Sequence, residues 1–318
     1  MSPPLDDAQA NKGMWLGLLG IVIFSVTLPL TKLAVGSVDA PQLSPWFVTF
    51  GRAAVAGVLS LLYLGFGFVR GHRQVPRGRQ WRLLGFTALG VVVGFPLFLS
   101  LALQHVPSTH GAVVTGLLPL ATAGVAALWF RQRPSLAFWA CAVTGTLLVL
   151  VFMALRSGDG GHVALHLADV FLLLAMLSAA LGYIGGARLT PSLGAERVIC
   201  LVLVISLPVT LPLAFVHAPP AGQAIGWASW GAFAYLAVFS MWIGFFAWYR
   251  GLALGGAVRV SQVQLAQPFL SMLFAVPLLG ERLDAVTMGF GLAVMATVFI
   301  GKKMPVDAMQ PKPLAAKG

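Results

Sequence analysis

The residues of this sequence that could bind a solute are polar side chains within long apolar runs. Gln264 and Gln267 lie three residues apart, which places both on one face of a helix. A primary amide donates and accepts hydrogen bonds, so the pair suits a zwitterionic ligand, although it could equally bridge neighbouring helices. Arg52 is the one Lys or Arg well inside an apolar run, roughly 12 Å deep by helical rise. It could meet a solute's carboxylate or phosphate, or pair with backbone carbonyls.

Three prolines within apolar runs predict local breaks in helical hydrogen bonding. Proline has no N–H, so each leaves the carbonyl four residues earlier without its helical donor. The prolines are Pro29, Pro119 and Pro268, and the freed carbonyls belong to Ser25, Thr115 and Gln264. Breaks of this kind near the middle of paired spans are the best sequence indicator of a transporter's binding site.

Other side chains near the middle of the runs complete the predicted site. They are Thr27, Thr115, Ser178, Tyr183, Ser240 and Trp242. Trp242 could stack on an aromatic or apolar part of a ligand, although ordinary packing is the more common role of such a residue.

Titratable groups are confined to the ends of the predicted helices. All nine acidic residues and all six histidines lie in tails, loops or helix ends, so no buried carboxylate relay for protons is expected. Transport would then be uncoupled, or its coupling would use His105, His110 or the solute itself. No phosphate-binding loop with Lys and no metal-ligand spacing occurs, so we expect no cofactor, no metal and no enzymatic activity.

These residues lie in a chain that is almost wholly apolar. Hydrophobic residues make up 58% of it and charged residues 9%, against about 25% charged residues in soluble domains. Runs of about 20 apolar residues match the hydrocarbon thickness of a bilayer. The sequence predicts ten transmembrane helices, at 14–35, 43–68, 82–104, 108–129, 135–154, 168–187, 197–216, 228–249, 258–279 and 284–301.

The distribution of basic residues predicts an orientation. Ten alternating spans place 16 of the 20 Lys and Arg residues on one side, and Lys32, Arg156 and Arg282 on the other, with Arg52 inside a span. Under the positive-inside rule the basic side is cytoplasmic. The tails 1–13 and 303–318 are then cytoplasmic, and the net charge of +11 indicates flank charges facing a lipid bilayer, with no nucleic-acid partner.

The two halves of the chain repeat weakly. Pro119 and Pro268 are 149 residues apart, and so are Arg133 and Arg282. Because five helices is an odd number, the second copy must enter the membrane from the opposite face. The predicted fold class is therefore an all-α integral membrane protein of two inverted five-helix repeats, 14–154 and 168–302, around a central cavity.

Two segments carry a resemblance to a known family. One runs from Ala102 to Thr109 and on through Leu118-Pro119-Leu120 to Arg131-Gln132-Arg133. The other runs from Gly251 to Ala257 and on through Gln267-Pro268 to Gly280-Glu281-Arg282-Leu283. The plan and these segments resemble EamA-type members of the drug/metabolite transporter superfamily. Arg52 also matches the family's early Arg in helix two, whereas Gln132 stands where the family usually has Glu.

The resemblance implies an inner-membrane carrier of small organic solutes, often an exporter of amino acids. It implies a cavity lined by helices one, three, four, six, eight and nine, and a monomer or a homodimer through helices five and ten. We expect a secondary transporter that exports amino acids, with apolar or aromatic ones favoured, by alternating access. An organophosphate or nucleotide-sugar exchanger using Arg52 is the alternative, and an intramembrane enzyme is a remote one.

Overall fold

The computed structural model of the protein describes residues 7–69, 75–129, 133–156, 167–255, 263, 266–302 and 306–307. Nearly all of these residues are helical. The α-helices are α1 (Asp7–Ser25), α2 (Thr27–Val35), α3 (Pro45–Val69), α4 (Arg79–Ala88), α5 (Phe95–His105), α6 (Ser108–Thr115), α7 (Leu118–Trp129), α8 (Leu136–Arg156), α9 (Leu167–Leu193), α10 (Ala195–Val216), α11 (Trp227–Tyr235), α12 (Gly244–Gly255), α13 (Gln267–Leu279) and α14 (Ala285–Lys302). Two π-helical segments, π1 (Leu89–Gly94) and π2 (Leu236–Ile243), join α4 to α5 and α11 to α12.

Six helical stretches of the described chain are long and apolar enough to cross a membrane, judged by length and composition. They are Asn11–Val35, Pro45–Val69, Arg79–His105, Leu167–Thr190, Ala195–Val216 and Trp227–Gly251. Shorter apolar helices cover Trp139–Phe152, Gln267–Leu279 and Ala285–Thr297. The protein is thus an all-helical, multi-span membrane protein.

Two predicted helices differ from their described form. The predicted helix 108–129 is divided into α6 and α7 by a turn at Gly116 and Leu117. In the predicted helix 258–279, the described α-helix begins at Gln267, and residues 258–262, 264 and 265 lie outside the described residues. Pro268 therefore occupies the second position of α13, where a missing N–H costs little, instead of breaking a described helix from within.

Glycines end two of the helices at one end of the bundle. Gly36 follows α2 with φ of 73°, and a Cβ there would collide with the Ala40 carbonyl. Gly280 follows α13 in the left-handed conformation, with φ of 66°, and its N–H bonds the Val276 carbonyl. Only glycine adopts such φ values without a steric cost, so both residues fix where the chain reverses.

The helices of the first half pack mainly on those of the second half. Extensive contacts pair α1 with α12, α3 with α10, α5 with α9, α8 with α14, α7 with α9 and α2 with α11, and α6 also packs on α13. One large buried apolar cluster includes Trp248 and Leu203, and another includes Phe152 and Leu172. A short antiparallel pairing of Arg133–Pro134 with Val306–Asp307 brings the segments before α8 and after α14 together.

A close helix contact joins π1 to α9 through two glycines. A Cβ on Gly90 would lie 2.7 Å from the Gly182 Cα and 2.5 Å from the Ser178 carbonyl oxygen. A Cβ on Gly182 would lie 2.9 Å from the Val91 backbone nitrogen. Because backbone atoms form this contact, neither side can yield by changing a rotamer.

We predict that Gly90→Leu destabilises the protein whereas Gly85→Leu, on the same span, does not. Nothing lies within 4 Å of a Cβ at Gly85. Overpacking typically costs about 1–3 kcal/mol, and contact with backbone puts Gly90→Leu at the upper end. The melting temperature of detergent-purified protein, followed by size-exclusion chromatography, measures the effect. Equal melting temperatures for the two variants would contradict the contact.

Candidate substrate cavity

A cavity lies between the two halves of the chain, at the points where several helices are irregular. The residues that line it come from both halves, and they lie on α1, α2, α3, π1, α5, α6, α7, α9, π2, α12, α14 and the start of α13. The cavity has about 800 Å³ of empty space, part of which is continuous with solvent. The centre of a water molecule fits within only about 50 Å³ of that space. At ~10–15 Å³ for each water centre, the latter holds only a few waters. The cavity is therefore narrow, and a larger solute requires it to widen.

Arg52 is the charged side chain among the described lining residues. It is the eighth residue of α3 and is 1% exposed. Among the described residues, none accepts a hydrogen bond from its Nε or Nη1. A guanidinium is costly to bury without acceptors, and an anionic group in the cavity would supply them.

The break predicted at Pro29 occurs as a turn at Val26 between α1 and α2. The Ser271 hydroxyl of α13 donates to the Ser25 carbonyl at 2.8 Å. The carbonyl that proline deprives of its helical partner thus receives a donor from another helix. This bond ties the first span to the ninth predicted span beside the cavity.

Hydroxyl groups continue the polar lining. Thr27 Oγ1 and Ser240 Oγ lie 2.8 Å apart and link α2 to π2. Thr115 Oγ1 donates to the Gly111 carbonyl of its own helix at 2.7 Å. A Thr hydroxyl bonded in this way keeps free lone pairs, so it can accept a further hydrogen bond from a ligand.

Apolar side chains form much of the rest of the wall. Phe24, Phe95 and Phe245 line the cavity together with Met241 and Met295, and Leu28, Val91 and Leu118 also line it. The rings of Phe24 and Phe245 meet edge to face at 5.0 Å. Because the cavity has both polar and apolar lining, it suits a solute with one charged end and one apolar end.

Most of the predicted site residues lie on this cavity. Arg52, Thr27, Thr115, Tyr183, Ser240 and Gln267 line it, together with Pro268. Gln264 and the Pro119 side chain lie outside the described residues. That any of these side chains binds a solute stays a prediction.

Two predicted residues lie elsewhere. Trp242 is not among the lining residues and packs against Tyr63 and Phe246, at centroid distances of 6.4 and 5.0 Å. Ser178 lies behind the cavity wall, where its Oγ would be 2.6 Å from a Cβ on Gly94. Both are near mid-span as counted, but they face neighbouring helices.

Ten lining residues were not predicted from the sequence: Phe24, Leu28, Val91, Phe95, Gly116, Leu118, Met241, Phe245, Ser271 and Met295. In an apolar run an aromatic residue that lines a cavity looks like one that faces lipid. Ser271 had a usable signal, because it lies four residues after Gln267 and shares its helical face.

One carboxylate at a helix end is buried, which the sequence did not indicate. Asp169, near the start of α9, is 1% exposed, and its Oδ1 lies 2.9 Å from His110 Nε2 of α6. Asp169 lies at a helix end, as the sequence predicted for all acidic residues. That no carboxylate relay for protons exists stays a prediction.

A second carboxylate holds the same helix. Glu281 accepts hydrogen bonds from the backbone N–H groups of Ser108 and Thr109, at 2.7 and 2.9 Å. These are the first residues of α6, where the helix dipole favours an anion. Nearby, Lys32 Nζ donates to the Gln104 carbonyl at 3.4 Å. We call this the Glu281 end of the bundle, defined by Lys32, Gln104, Ser108 and Glu281.

Multiple apolar spans around a narrow, part-polar cavity define a membrane protein of the transporter class. The profile of the EamA-like transporter family matches the chain twice, at residues 11–154 and 166–301. The chain belongs to this family and is a membrane transporter.

Relatives agree with this assignment. The chain is 41% identical over 295 residues to the Bacillus subtilis (strain 168) protein named "Uncharacterized transporter YdeK", covering 93% of this chain and 98% of that protein. It is 25% identical over 279 residues to "Uncharacterized transporter YyaM" of the same organism, covering 82% and 85%. A crystal structure matches with a TM-score of 0.57 and 21% identity over 91% of this chain and 96% of that one, a likeness of fold.

We predict that Ser271→Ala and Pro29→Ala are energetically coupled. Ser271→Ala leaves the buried Ser25 carbonyl without its donor and should cost about 1–3 kcal/mol. In a Pro29→Ala background, the new N–H at position 29 can bond that carbonyl, so the same change should cost less. Reversible unfolding in mixed micelles measures all four free energies.

Ser206→Ala is the matched control for this cycle. Ser206 is buried too, but its hydroxyl donates to the Val202 carbonyl within α10. Its cost should be the same with and without Pro29→Ala. Additive effects of Ser271→Ala and Pro29→Ala would contradict the proline break.

Proposed function

We propose that this transporter exports amino acids, preferentially apolar or aromatic ones, from the cytoplasm by alternating access. The observation that carries the proposal is the buried Arg52 guanidinium, whose Nε and Nη1 find no acceptor among the described residues. An amino acid's carboxylate would supply the missing acceptors, and its apolar side chain would face Phe24, Phe95 and Phe245.

The ammonium group needs acceptors near the same point. The Thr27 and Ser240 hydroxyls, the Thr115 hydroxyl and the Gln267 side chain all line the cavity and can accept hydrogen bonds. Organophosphates and nucleotide sugars fit less well, because they carry more negative charge than one guanidinium neutralises. Among the described lining residues Arg52 is the single cation.

We propose that the chain has ten spans arranged as two inverted repeats. In support, π1 and π2 interrupt the third and eighth predicted spans, which are equivalent under a five-helix offset. The helix pairs α3–α10, α6–α13 and α8–α14 each join equivalent spans. The pair α1–α12 joins spans one and eight, and the pair α5–α9 joins spans three and six. A five-span offset converts each of these pairs into the other, as a two-fold axis in the membrane plane requires.

The Glu281 end is the outer end in this proposal. Under the positive-inside rule, the distribution of basic residues supports a position of both termini on the cytoplasmic face of the inner membrane. The chain is then closed outside by the hydrogen bonds of Glu281 and Lys32. Exchange of a solute requires these contacts to separate while the cavity widens. Helix α6 belongs to the first half, and Glu281 of the second half binds its N-terminus.

We predict that Arg52 recognises the carboxylate of the solute. Purified protein in liposomes should exchange tritiated phenylalanine in counterflow, and unlabelled phenylalaninamide should compete poorly because it has no carboxylate. Arg52→Gln should weaken phenylalanine competition about 10- to 100-fold, the loss of roughly 1.5–3 kcal/mol from a charged hydrogen bond. It should also remove the preference for the acid over the amide.

Arg250→Gln is the matched control, because the Arg250 side chain is 67% exposed and its Nε lies 3.4 Å from Glu196 Oε1. It should behave as the unaltered protein does. If Arg52→Gln keeps the preference for the acid, Arg52 does not bind the carboxylate. If sugar phosphates or nucleotide sugars compete and amino acids do not, the exchanger is the correct function.

A further inference from the structure

Three buried hydroxyl groups near the cavity have no hydrogen-bond partner among the described residues. They belong to Thr31 of α2, Thr49 of α3 and Ser100 of α5, and each residue is 0% exposed. A helical Ser or Thr hydroxyl can donate to a carbonyl of the preceding turn, as that of Ser206 does. A buried hydroxyl without any partner is costly, so these three need another explanation.

All three hydroxyls lie close to the Glu281 end of the bundle. Thr31 is four residues before the end of α2, Thr49 is four residues after the start of α3, and Ser100 is five residues before the end of α5. The segment 36–44 joins α2 to α3, so these two helix ends lie at the same end of the bundle. Helical rise places each hydroxyl about 6–8 Å from its helix end. Arg52 lies three residues deeper in α3 than Thr49, so the hydroxyls lie between Arg52 and the Glu281 end.

The face of α5 that carries Ser100 is turned away from α9. Phe98 stacks on Phe171 of α9, at a centroid distance of 6.2 Å. Ser100 follows Phe98 by two residues, a rotation of about 200° around the helix, so it lies on the opposite side of α5. Helices α2 and α3 pack on α5 and on each other. Ser100 therefore lies on the side of α5 where these three helices join.

Thr49 and Thr31 share helical faces with residues that line the cavity. Thr49 is three residues before Arg52, and Thr31 is four residues after Thr27. Residues with these spacings lie on one face of a helix. The three hydroxyls thus surround the junction of α2, α3 and α5, next to the cavity. We call them the junction hydroxyls, defined by Thr31, Thr49 and Ser100.

A cation lies on each side of the junction hydroxyls. On the inner side, no described residue accepts a hydrogen bond from Arg52 Nε or Nη1. On the outer side, Lys32 directly follows Thr31, and its Nζ donates to the Gln104 carbonyl of α5 at 3.4 Å. Guanidinium, hydroxyl and ammonium groups all donate hydrogen bonds to a carboxylate. An anionic group therefore has donors at each step from Arg52 to Lys32.

We propose that the junction hydroxyls line the outer part of the solute's route and pass its carboxylate from Arg52 to Lys32. Outward opening separates Lys32 from Gln104 and widens the junction between α2 and α5. The carboxylate then exchanges its hydrogen bonds with Arg52 for bonds with the hydroxyls, and it leaves past Lys32. The identity of the solute in this step rests on the proposed function, but access to the junction can be tested without any solute.

The first test measures access to the junction from outside. In a background of Cys141→Ala and Cys200→Ala, Ser100→Cys is expressed in intact cells. The cells are treated with two small membrane-impermeant methanethiosulfonates, one with a sulfonate and one with a trimethylammonium group. Covalent labelling accumulates with time, so a small outward-open fraction is sufficient. Val38→Cys, at a position 57% exposed beyond α2, gives the rates of both reagents at the open surface.

Ser100→Cys should react with the anionic reagent about tenfold faster than with the cationic one, after division by the rates at Val38→Cys, because two cations concentrate an anion in the route. Lys32→Gln should reduce this preference about threefold or more, because it removes one of the two charges. Ser206→Cys is the matched control, and it should not react because it is buried on α10, away from the junction.

The second test separates a route from a structural role by replacing hydroxyls with apolar groups of similar shape. Thr49→Val and Ser100→Ala remove hydroxyls that have no partner, so the melting temperature should stay the same or rise. The initial rate of phenylalanine counterflow should nevertheless fall about tenfold, because the moving carboxylate loses a donor. Ser206→Ala should show the reverse, with a lower melting temperature and unchanged counterflow, because its hydroxyl is bonded within α10.

The proposal is overturned if Ser100→Cys reacts no faster than Ser206→Cys, or reacts without preference for the anionic reagent. Unchanged counterflow in Thr49→Val and Ser100→Ala also overturns it, because the hydroxyls would then serve only the folded structure. Failure of Val38→Cys to react would place this end of the bundle in the cytoplasm, with the same consequence. Size-exclusion profiles check that each variant is folded. Absence of phenylalanine counterflow in the unaltered protein refutes the proposed function, and labelling of Ser100→Cys still decides the route.

Discussion

The structure depends on one constraint, which is that backbone groups within a membrane need hydrogen-bond partners from the protein. The chain departs from regular helix at Val26, in π1 and π2, and at Gly116, and residues of each region or its neighbours line the cavity. At Val26 the partner is supplied by Ser271 of another helix. Irregular backbone is tolerated there because the second half of the chain encloses it. The same constraint therefore locates both the helix breaks and the cavity.

Arg52 gives the cavity its chemical character. Burial of a guanidinium is tolerated where polar groups and water reach it, and the hydroxyls of Thr27, Thr115 and Ser240 line the same space. The aromatic residues that also line the cavity offer no compensation for charge. A solute that neutralises Arg52 while burying an apolar group therefore matches both kinds of lining residue, whereas a multiply charged solute matches only the polar ones.

The sequence predicted the features that are local in the chain. Hydropathy located the apolar spans, and the missing N–H of Pro29 predicted the break that occurs at Val26. It did not predict features that depend on neighbours. The position of a residue along a helix indicates its depth in the membrane but not the direction of its side chain. The sequence therefore could not distinguish Phe245, which lines the cavity, from Trp242, which does not. Asp169 lies at a helix end as expected, yet it is buried and contacts His110 of α6, and no sequence pattern indicated that contact.

The proposed repeat relates an acidic residue of the second half to a neutral residue of the first half. Glu281 is related to Gln132 by the same 149-residue offset that relates the paired prolines. An anionic side chain stabilises the N-terminus of a helix more than a neutral amide does, because it meets both the N–H groups and the helix dipole. Glu281 and Asp169, two carboxylates of the second half, contact α6 of the first half at the Glu281 end of the bundle. The contact between the halves is therefore charge-assisted at this end, and within the proposed repeat a neutral Gln at the equivalent position would supply no such charge.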